Sequence, residues 1–397
     1  MTTTINNEHK KLNVPNLRFK EFQGEWEEST IGEMFDLYSG NTPSRLNIEH
    51  FKGTVNWISS GELKEHYIYS SKEQISEEAA KGLKLLPVGT FVIAIYGLEA
   101  EGVRGTGSII QESSTISQAC MSFIPKGVIE NEFLYSWYKK HGNVIGIRYA
   151  QGTKQQNLSY DILEKFRIAY PNTKEQEKLN KFISLLDERI TTQNKIIEDL
   201  KKLKCAIIEK LYAEVKGTKY FYRQLFNIIN ERNKQLEYSN VLSASQEKGM
   251  VSRDDLNLDI QFERSNINTY KIVRNGDYVI HLRSFQGGFA FSEKTGVCSP
   301  AYTILRPNGL LVYGYLSNYF TSRDFVKSLI IVTYGIRDGR SINVDEWLNM
   351  KVIIPSKEQQ THIVNVIESI ENKIKNEETY LNCLTNQKQY LLRQMFI

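Results

Sequence analysis

The chain has 397 residues, of which 41% are hydrophobic and 24% are charged. This is the composition of a globular protein, and at about 150 residues per domain the length indicates two or three domains. The net charge of +4 is too small to indicate nucleic-acid binding by itself. Apolar runs such as 91–95 are of strand length, and the polar N-terminal sequence lacks the apolar region of a signal peptide. We therefore expect a cytoplasmic protein that does not associate with a membrane.

Cysteine and histidine are too scattered to indicate a metal site or a disulfide framework. The four cysteines (Cys120, Cys205, Cys298 and Cys383) form no CxxC motif, and the six histidines form no cluster with them. Zinc sites and disulfide-rich folds need closely patterned ligands. We expect free thiols and no metal bound by this chain.

The chain contains an internal repeat. The segment FRIAYPNTKEQ from Phe166 resembles MKVIIPSKEQ from Met350, and a long helical pattern follows each. Eight apolar positions of the first pattern recur 184 residues later in the second (179 and 363, for example). The positions are Leu179, Ile183, Leu186, Ile190, Ile197, Leu200, Ile207 and Leu211, and then Ile363, Ile367, Ile370, Ile374, Leu381, Leu384, Leu391 and Met395. Weaker similarity relates residues 57–60 to 241–244, 87–93 to 274–280, and 119–125 to 301–307.

The two helical patterns predict a coiled coil. Their apolar spacing is that of a heptad repeat, and each helix is expected to run for about 40 residues, or about 60 Å. Each is predicted to begin at a capping box, Thr173 with Gln176 and Ser356 with Gln359. A long helix with one apolar stripe needs a partner to cover that stripe. Antiparallel pairing of the two helices is favoured, and packing of each helix on its own globular unit is the alternative.

The globular units mix strand patterns, such as 90–95 and 278–282, with helical patterns, such as 131–141 and 316–328. We predict an α+β protein with two mixed α/β domains joined by two long antiparallel coiled-coil helices. The predicted boundaries are 1–13 for a tail, 14–172 for the first domain, 173–217 for a central helix, 218–355 for the second domain and 356–397 for a distal helix.

Motifs of common enzymes that act on DNA are missing from the sequence. It has no Pro-Pro dipeptide for an amino-methylating loop, no Gly-Lys dipeptide for a P-loop and no Pro-Asp for a common nuclease metal site. If the repeat were two copies of an enzyme, the same set of catalytic residues should occur in both copies, and the sequence shows no such repeated set. A binding role is therefore favoured, and no catalytic residue is assigned.

Polar and basic loops occur in both globular units, with the aromatic residues Tyr149, Phe285 and Tyr334 among them. Arg, Lys, Gln, Asn and Ser are side chains that contact phosphates and base edges in DNA. The candidate DNA-binding residues are Asn41, Thr42, Ser44, Arg45, Ser60, Arg104, Arg148, Lys154 and Gln155 in the first unit, and Ser243, Lys248, Arg283, Gln286, Arg337 and Arg340 in the second. Ordinary solvated loops are the alternative for any one of them. The duplication favours DNA contact.

In order and duplication, these motifs resemble the specificity subunits of type I DNA restriction–modification systems. The resemblance rests on VPNLRF from Val14, SGNTPS from Ser39, GTKQQNLS from Gly152, the repeated Lys-Glu-Gln helix entry, and the helix ends at 211–212 and 394–396. The second unit lacks a Gly-x-Thr-Pro-Ser turn, so that site is assigned to the first unit alone.

The resemblance implies that each globular domain is a target-recognition domain for one half of a bipartite, asymmetric DNA site, and that the helices set the spacing between the halves. It implies a non-catalytic subunit that binds double-stranded DNA and two modification (methyltransferase) subunits and, through them, restriction (motor and nuclease) subunits. S-adenosylmethionine, ATP and magnesium are expected on those partners, and no cofactor is expected on this chain. A stand-alone DNA methyltransferase or a fused restriction–methylation enzyme is the alternative.

Overall fold

The chain forms two structural units. A computed structural model describes residues 12–100, 102–152, 154–245, 248–253, 264–281, 288–334 and 341–397. The first unit comprises Met1–Asn194 and Thr379–Ile397, and the second comprises Lys195–Glu378. Each unit therefore contains one globular region and a segment of each of two long helices.

The globular region of the first unit has ten strands and four helices within the described residues. The strands are β1 Glu27–Thr30, β2 Phe35–Ser39, β3 Val55–Ile58, β4 Tyr67–Ile68, β5 Glu73–Ile75, β6 Phe91–Ala94, β7 Gly107–Ile110, β8 Ser114–Ile116, β9 Cys120–Pro125 and β10 Arg167–Tyr170. The helices are α1 Ile31–Met34, α2 Glu77–Ala80, α3 Asn131–Tyr149 and α4 Tyr160–Leu163. The long helix α5, Thr173–Ala213, follows them.

The described part of the second globular region has twelve strands and two helices. The strands are β11 Thr218–Phe221, β12 Phe226–Ile229, β13 Leu242–Ser245, β14 Gly249–Ser252, β15 Lys271–Val273, β16 Tyr278–Ile280, β17 Phe289–Phe291, β18 Gly296–Cys298, β19 Thr303–Pro307, β20 Thr333–Tyr334, β21 Ser341–Ile342 and β22 Lys351–Ile354. The helices are α6 Arg323–Ser328 and α7 Val344–Leu348, and the long helix α8, Lys357–Met395, follows them.

The main sheets of the two units share the order of four strands, and the first sheet has a fifth strand, β4. The first sheet has the order β2-β9-β6-β7-β4, and the second has the order β12-β19-β16-β17. Phe35 lies opposite Pro125 in the first, and Phe226 lies opposite Pro307 in the second. The internal repeat predicted from the sequence is thus confirmed in the fold. Smaller sheets accompany both, of which the largest is β5-β3-β8 in the first unit.

A two-stranded antiparallel sheet lies at the base of each globular region. The strand β1 pairs with β10, with Glu27 opposite Tyr170, and β11 pairs with β22, with Thr218 opposite Ile354. In each region the last strand leads directly into a long helix. The chain therefore enters and leaves each globular region at neighbouring positions.

Helix α3 covers the main sheet of the first unit, since the buried rings of Tyr135 and Tyr138 pack edge-on against Phe91 of β6. The predicted helix at 131–141 extends to Tyr149. The helical pattern predicted at 316–328 is divided between a 3₁₀ turn, Tyr319–Thr321, and α6. Each large apolar side chain buried in this way contributes about 1.5–3 kcal/mol.

The long helices pair in antiparallel fashion within each unit. In the first unit, Lys388 of α8 forms an ion pair with Asp187 of α5. In the second, Lys201 and Lys204 of α5 lie 2.7 Å and 2.6 Å from carboxylate oxygens of Glu378 and Glu371. As the residue number rises along α5, the number of its partner in α8 falls, which confirms the antiparallel pairing. All sixteen predicted apolar positions are buried or half-buried.

The starts of the long helices also pack on their own globular cores. Leu179 and Ile183 belong to the core of the first unit, and Ile363 and Ile367 belong to that of the second. The apolar stripe is thus covered by the globular core at its start and by the other helix further along. Within the described residues, no helix has both the length and the apolar character needed to cross a bilayer.

One predicted capping box is wrong. The side chain of Asn172, and not that of Thr173, caps α5, because its Oδ1 atom accepts the backbone N–H of Glu175 at 3.1 Å. Ser356 caps α8 as predicted, since its Oγ atom accepts the backbone N–H of Gln359 at 3.3 Å. Gln176 does not complete a box, because its side chain turns into the protein interior.

Candidate DNA interface

The predicted loops of the first unit leave the main sheet at one end. The strands β2 and β6 both pair antiparallel with β9, so they run in the same direction and finish beside the start of β9. The loop after β2 contains Asn41, Thr42, Ser44 and Arg45, and the loop after β6 contains Arg104. The sheet therefore brings these two loops to the same edge.

Ser60 lies beside the loop after β2. It follows β3, whose Trp57 donates an indole N–H to the backbone carbonyl of Asn41 at 3.0 Å. The backbone N–H of Asn41 in turn donates to the carbonyl of Ile116 on β8, the strand beside β3, at 3.1 Å. These bonds tie the ends of β2, β3 and β8 together.

The loop that carries Lys154 and Gln155 packs against the loop after β6. The backbone N–H of Leu98 donates to the carbonyl of Gln156 at 3.0 Å, and the backbone N–H of Gln156 donates to the Glu99 carboxylate at 2.9 Å. Lys154 and Gln155 are exposed next to these bonds. The structure therefore brings both residues to the end of the sheet from which Arg104 emerges.

Arg104 packs along helix α3. A Cβ atom placed at Gly146 would lie 3.1 Å from Cγ of Arg104, so this glycine makes room for the arginine stem. The Nε atom of Arg104 is buried and has no hydrogen-bond partner among the described residues. Arg148 is exposed in the last turn of the same helix.

Arg45 is held by an ion pair and an aromatic ring. Its two terminal nitrogens each lie 2.7 Å from an oxygen of the Glu73 carboxylate, and its Cζ atom lies 4.3 Å from the ring centre of Phe51. The hydrogen bonds to Glu73 raise the pKa of Arg45, and those from Arg45 lower the pKa of Glu73. Both side chains are exposed. A phosphate or base that binds this guanidinium must therefore compete with Glu73.

The second unit brings fewer predicted residues together. Ser243 lies on β13 opposite Val251, and Lys248 lies in the turn between β13 and β14. A Cβ atom at the adjacent Gly249 would lie 2.5 Å from the carbonyl oxygen of Phe291. Lys248 therefore lies near the end of β17 that Phe291 forms. Four predicted residues lie outside the described part of the chain: Arg283, Gln286, Arg337 and Arg340.

Sequence reasoning missed a buried glutamine that locks the start of α5. Gln176 is fully buried, and its Nε2 atom donates to the carbonyls of Pro171 at 2.9 Å and Val128 at 3.2 Å. Its Oε1 atom accepts the backbone N–H of Glu130 at 3.0 Å. The amide thus joins the helix entry to the segment just before α3.

An equivalent buried glutamine makes the same three kinds of hydrogen bond at the start of α8 in the second unit. Gln360 donates to the carbonyls of Pro355 at 3.0 Å and Leu310 at 3.1 Å, and it accepts the backbone N–H of Val312 at 2.8 Å. Gln360 lies 184 residues after Gln176, the shift already found for the apolar positions. That shift was the available signal, because it pairs Gln176 with Gln360 and not with Gln359.

A second missed feature is a buried histidine between the globular region and α5. The ring of His66 is stacked between Tyr67 and Tyr135, with ring centres 4.0 Å and 3.9 Å away. Its Nε2 atom lies 2.9 Å from Glu132 and its Nδ1 atom 3.0 Å from Asp187. Burial favours the neutral ring, but the two carboxylates outweigh burial and raise the pKa of His66. This contact helps to hold α5 in place.

The described residues contain no group of three or more His, Cys, Asp or Glu side chains arranged to hold a metal ion. All four cysteines are free thiols. The arrangement of polar and basic loops at the edge of a sheet suits recognition of a polar, anionic surface such as that of DNA.

Comparison with known proteins identifies relatives of this chain. Residues 23–202 match the family model of the type I restriction modification DNA specificity domain. The EcoR124I/EcoR124II specificity subunit of Escherichia coli is 30% identical over 208 residues, which are 50% of each chain. The MjaIX specificity subunit of Methanocaldococcus jannaschii is 26% identical over 196 residues, which are 48% of this chain and 44% of the relative. The chain thus spans about half the length of the curated relatives it matches.

Solved structures share the fold over nearly the whole chain. The type I restriction–modification S subunit from M. genitalium has a TM-score of 0.54 at 15% identity, covering 97% of this chain and 99% of that one. A chain from a study of complex assembly and conformational transition in the type I system has a TM-score of 0.61 at 14% identity, covering 94% and 97%. Residues 23–202 of the chain are therefore a type I restriction modification DNA specificity domain, and the chain has the fold of these solved S subunits.

Proposed function

We propose that this chain supplies DNA sequence specificity to a type I restriction–modification complex, with each globular domain reading one half of a bipartite, asymmetric DNA site. The observation that carries the proposal is a duplicated sheet order whose loops differ between the two copies. A shared scaffold gives both domains the same way of approaching DNA. Different loops give each domain a different sequence to read.

In this proposal, the paired helices set the distance between the half-sites and recruit two modification subunits, through which the restriction subunits join. The chain acts as a non-catalytic subunit in the cytoplasm, with no membrane partner. S-adenosylmethionine, ATP and magnesium belong to the partner subunits, which carry out the methylation and cleavage chemistry. The alternative, a stand-alone methyltransferase or a fused enzyme, is less well supported by the specificity-subunit relatives.

Recognition is proposed to divide between two kinds of contact. Lysine and arginine contacts to phosphates supply affinity that falls with added salt, and a few loop side chains discriminate bases. In the first domain, the candidates are the residues gathered at the end of the sheet, with Arg45 and Arg104 the two arginines whose surroundings are best defined. Half-sites read from one face of B-DNA lie about one helical turn apart, centre to centre.

Mapping of methylated adenines in the source genome tests the proposal. We expect one bipartite motif whose methylation disappears when the gene for this chain is deleted and returns on complementation. A contiguous motif, or methylation that persists without the chain, would contradict the proposal. Titration of the isolated chain with S-adenosylmethionine separates the alternative, because only a methyltransferase would bind this cofactor by itself.

A further inference from the structure

Two concave grooves, one in each unit, occupy equivalent places in the repeat. Groove I, in the first unit, has a volume of about 340 Å³ and is lined by Trp137, Arg148, Tyr149, Phe166, Arg167 and Ala169, among others. Groove II, in the second unit, has a volume of about 380 Å³ and is lined by Tyr212, Lys219, Tyr315, Tyr319, Lys351 and Ile353, among others.

The strands at the base of each region place matching residues in the two grooves. Arg167 is the first residue of β10 and Lys351 is the first residue of β22, and the two are separated by the repeat shift of 184 residues. Ala169 and Ile353 are related by the same shift, and they face Glu28 of β1 and Lys219 of β11 across identical strand pairings. A cation therefore stands at the same point of both grooves.

The end of a long helix closes each groove at a matching position. Tyr212, near the end of α5, donates its hydroxyl to the carbonyl of Tyr315 in groove II. Phe396, one repeat shift later and just after α8, has its carbonyl bonded by the ammonium of Lys140 at 2.6 Å beside groove I. A different hydrogen bond therefore holds the end of a long helix beside each groove.

The grooves contrast with the loops at the ends of the sheets. Those loops differ between the units, as expected for surfaces that read different sequences. The grooves keep aromatic walls and a cation in both units, as expected for surfaces that receive the same ligand twice. The side chain of Arg167 is 79% exposed although it forms an ion pair with Glu28, so its charge is accessible.

We propose that the two grooves bind the same acidic segment, carrying one apolar anchor side chain, from each of two copies of one protein partner. The aromatic walls accept the apolar side chain, and Arg167 or Lys351 pairs with a neighbouring carboxylate. A concave pocket of this volume fits an inserted side chain better than it fits a DNA backbone. The identification of the partner copies as modification subunits rests on the proposed function. Arg148, predicted from the sequence to contact DNA, is assigned here to groove I.

The test is the stoichiometry of the full chain purified with its modification subunits, measured by native mass spectrometry. We expect two partner copies on the unaltered chain, one on Arg167→Glu or Lys351→Glu, and none on the double variant under the same conditions. Affinity at the altered groove should fall at least tenfold. The matched controls Lys165→Glu and Lys327→Glu reverse exposed charges outside the grooves and should retain two copies. The milder variants Arg167→Ala and Lys351→Ala, with circular dichroism, separate lost binding from lost folding.

Three outcomes would overturn the proposal. If both charge reversals keep two copies at unaltered affinity, the grooves are not the docking sites. If they weaken DNA binding while two copies remain, the grooves contact DNA instead of protein. If the unaltered chain binds no modification subunit, the proposed function itself fails, and the groove proposal that rests on it fails as well.

Discussion

Replacement of Gln176 by alanine should destabilise the first unit by about 3 kcal/mol. The change removes three hydrogen bonds and leaves the carbonyls of Pro171 and Val128 and the N–H of Glu130 without their partner. Each buried polar group left unsatisfied costs about 1–3 kcal/mol, and water entering the space left by the side chain recovers part of that cost. Since 1.4 kcal/mol is a factor of ten, about 3 kcal/mol raises the opened population roughly a hundredfold.

Amide hydrogen exchange is the appropriate assay, because a chain of two units need not unfold in one step. In Gln176→Ala, exchange should accelerate in the first turns of α5 and in the segment before α3. In Gln360→Ala, the equivalent acceleration should occur at the start of α8. Gln359→Ala is the matched control, since this neighbouring glutamine is exposed and its loss should change exchange little.

A result in which Gln176→Ala and Gln359→Ala accelerate exchange equally would refute this reasoning. It would mean that the buried amide contributes no more than a solvated one, and that the helix entry is held by apolar packing alone. If Gln176→Ala accelerated exchange only in the second unit, the conclusion that Gln176 stabilises the first unit would also be contradicted.

Three further predictions address charge, DNA binding and spacing. Because the pKa of His66 is raised above its usual 6.5, its stabilisation is fully present below pH 6.5 and is lost as the pH rises through the folded-state value. The free energy of unfolding, measured with urea from pH 6 to 9, should therefore decline less in His66→Gln than in the unaltered protein; an equal decline in both would contradict this role of His66. Glu73→Ala should free Arg45, strengthen DNA binding by the assembled complex and steepen its salt dependence by about one phosphate contact, whereas Glu112→Ala should not. Lengthening α5 by four residues adds about 6 Å, or about two base-pair steps, and should change the distance between the half-sites found by methylation mapping. An unchanged distance would contradict the proposal that the paired helices set it.

The repeat could be predicted from the sequence because the features that define it depend only on residues close together in the chain. Apolar residues at heptad spacing define a helix face whatever they contact. The turn before β6 and the turn before β16 both need a glycine with positive φ, at Gly89 (+85°) and Gly276 (+93°), and the sequence similarity of 87–93 to 274–280 includes both. Such features need no knowledge of distant partners.

The contacts that position the candidate site could not be predicted in the same way. Gln176 bonds to Val128, 48 residues away, and no local pattern indicates which amide turns inward. Arg45 was recognised as a basic loop residue, but its pairing with Glu73 depends on how β5 lies beside β3. The Thr173 capping box failed for a related reason, since Asn172 one residue earlier satisfies the helix N-terminus.

The two base sheets make each globular region exchangeable. Because β1 pairs with β10 and β11 with β22, the ends of each region are neighbours, and the loops between them that do not contact the long helices can differ without moving the helix that follows. A gene segment encoding residues 31–166 could be replaced by that of another relative, provided the segment ends on a matching strand pair and keeps the contacts to α5 made by Val128, Glu130 and His66. If the proposed function holds, such a replacement would change the DNA half-site that the region reads and would leave the helix contacts unchanged.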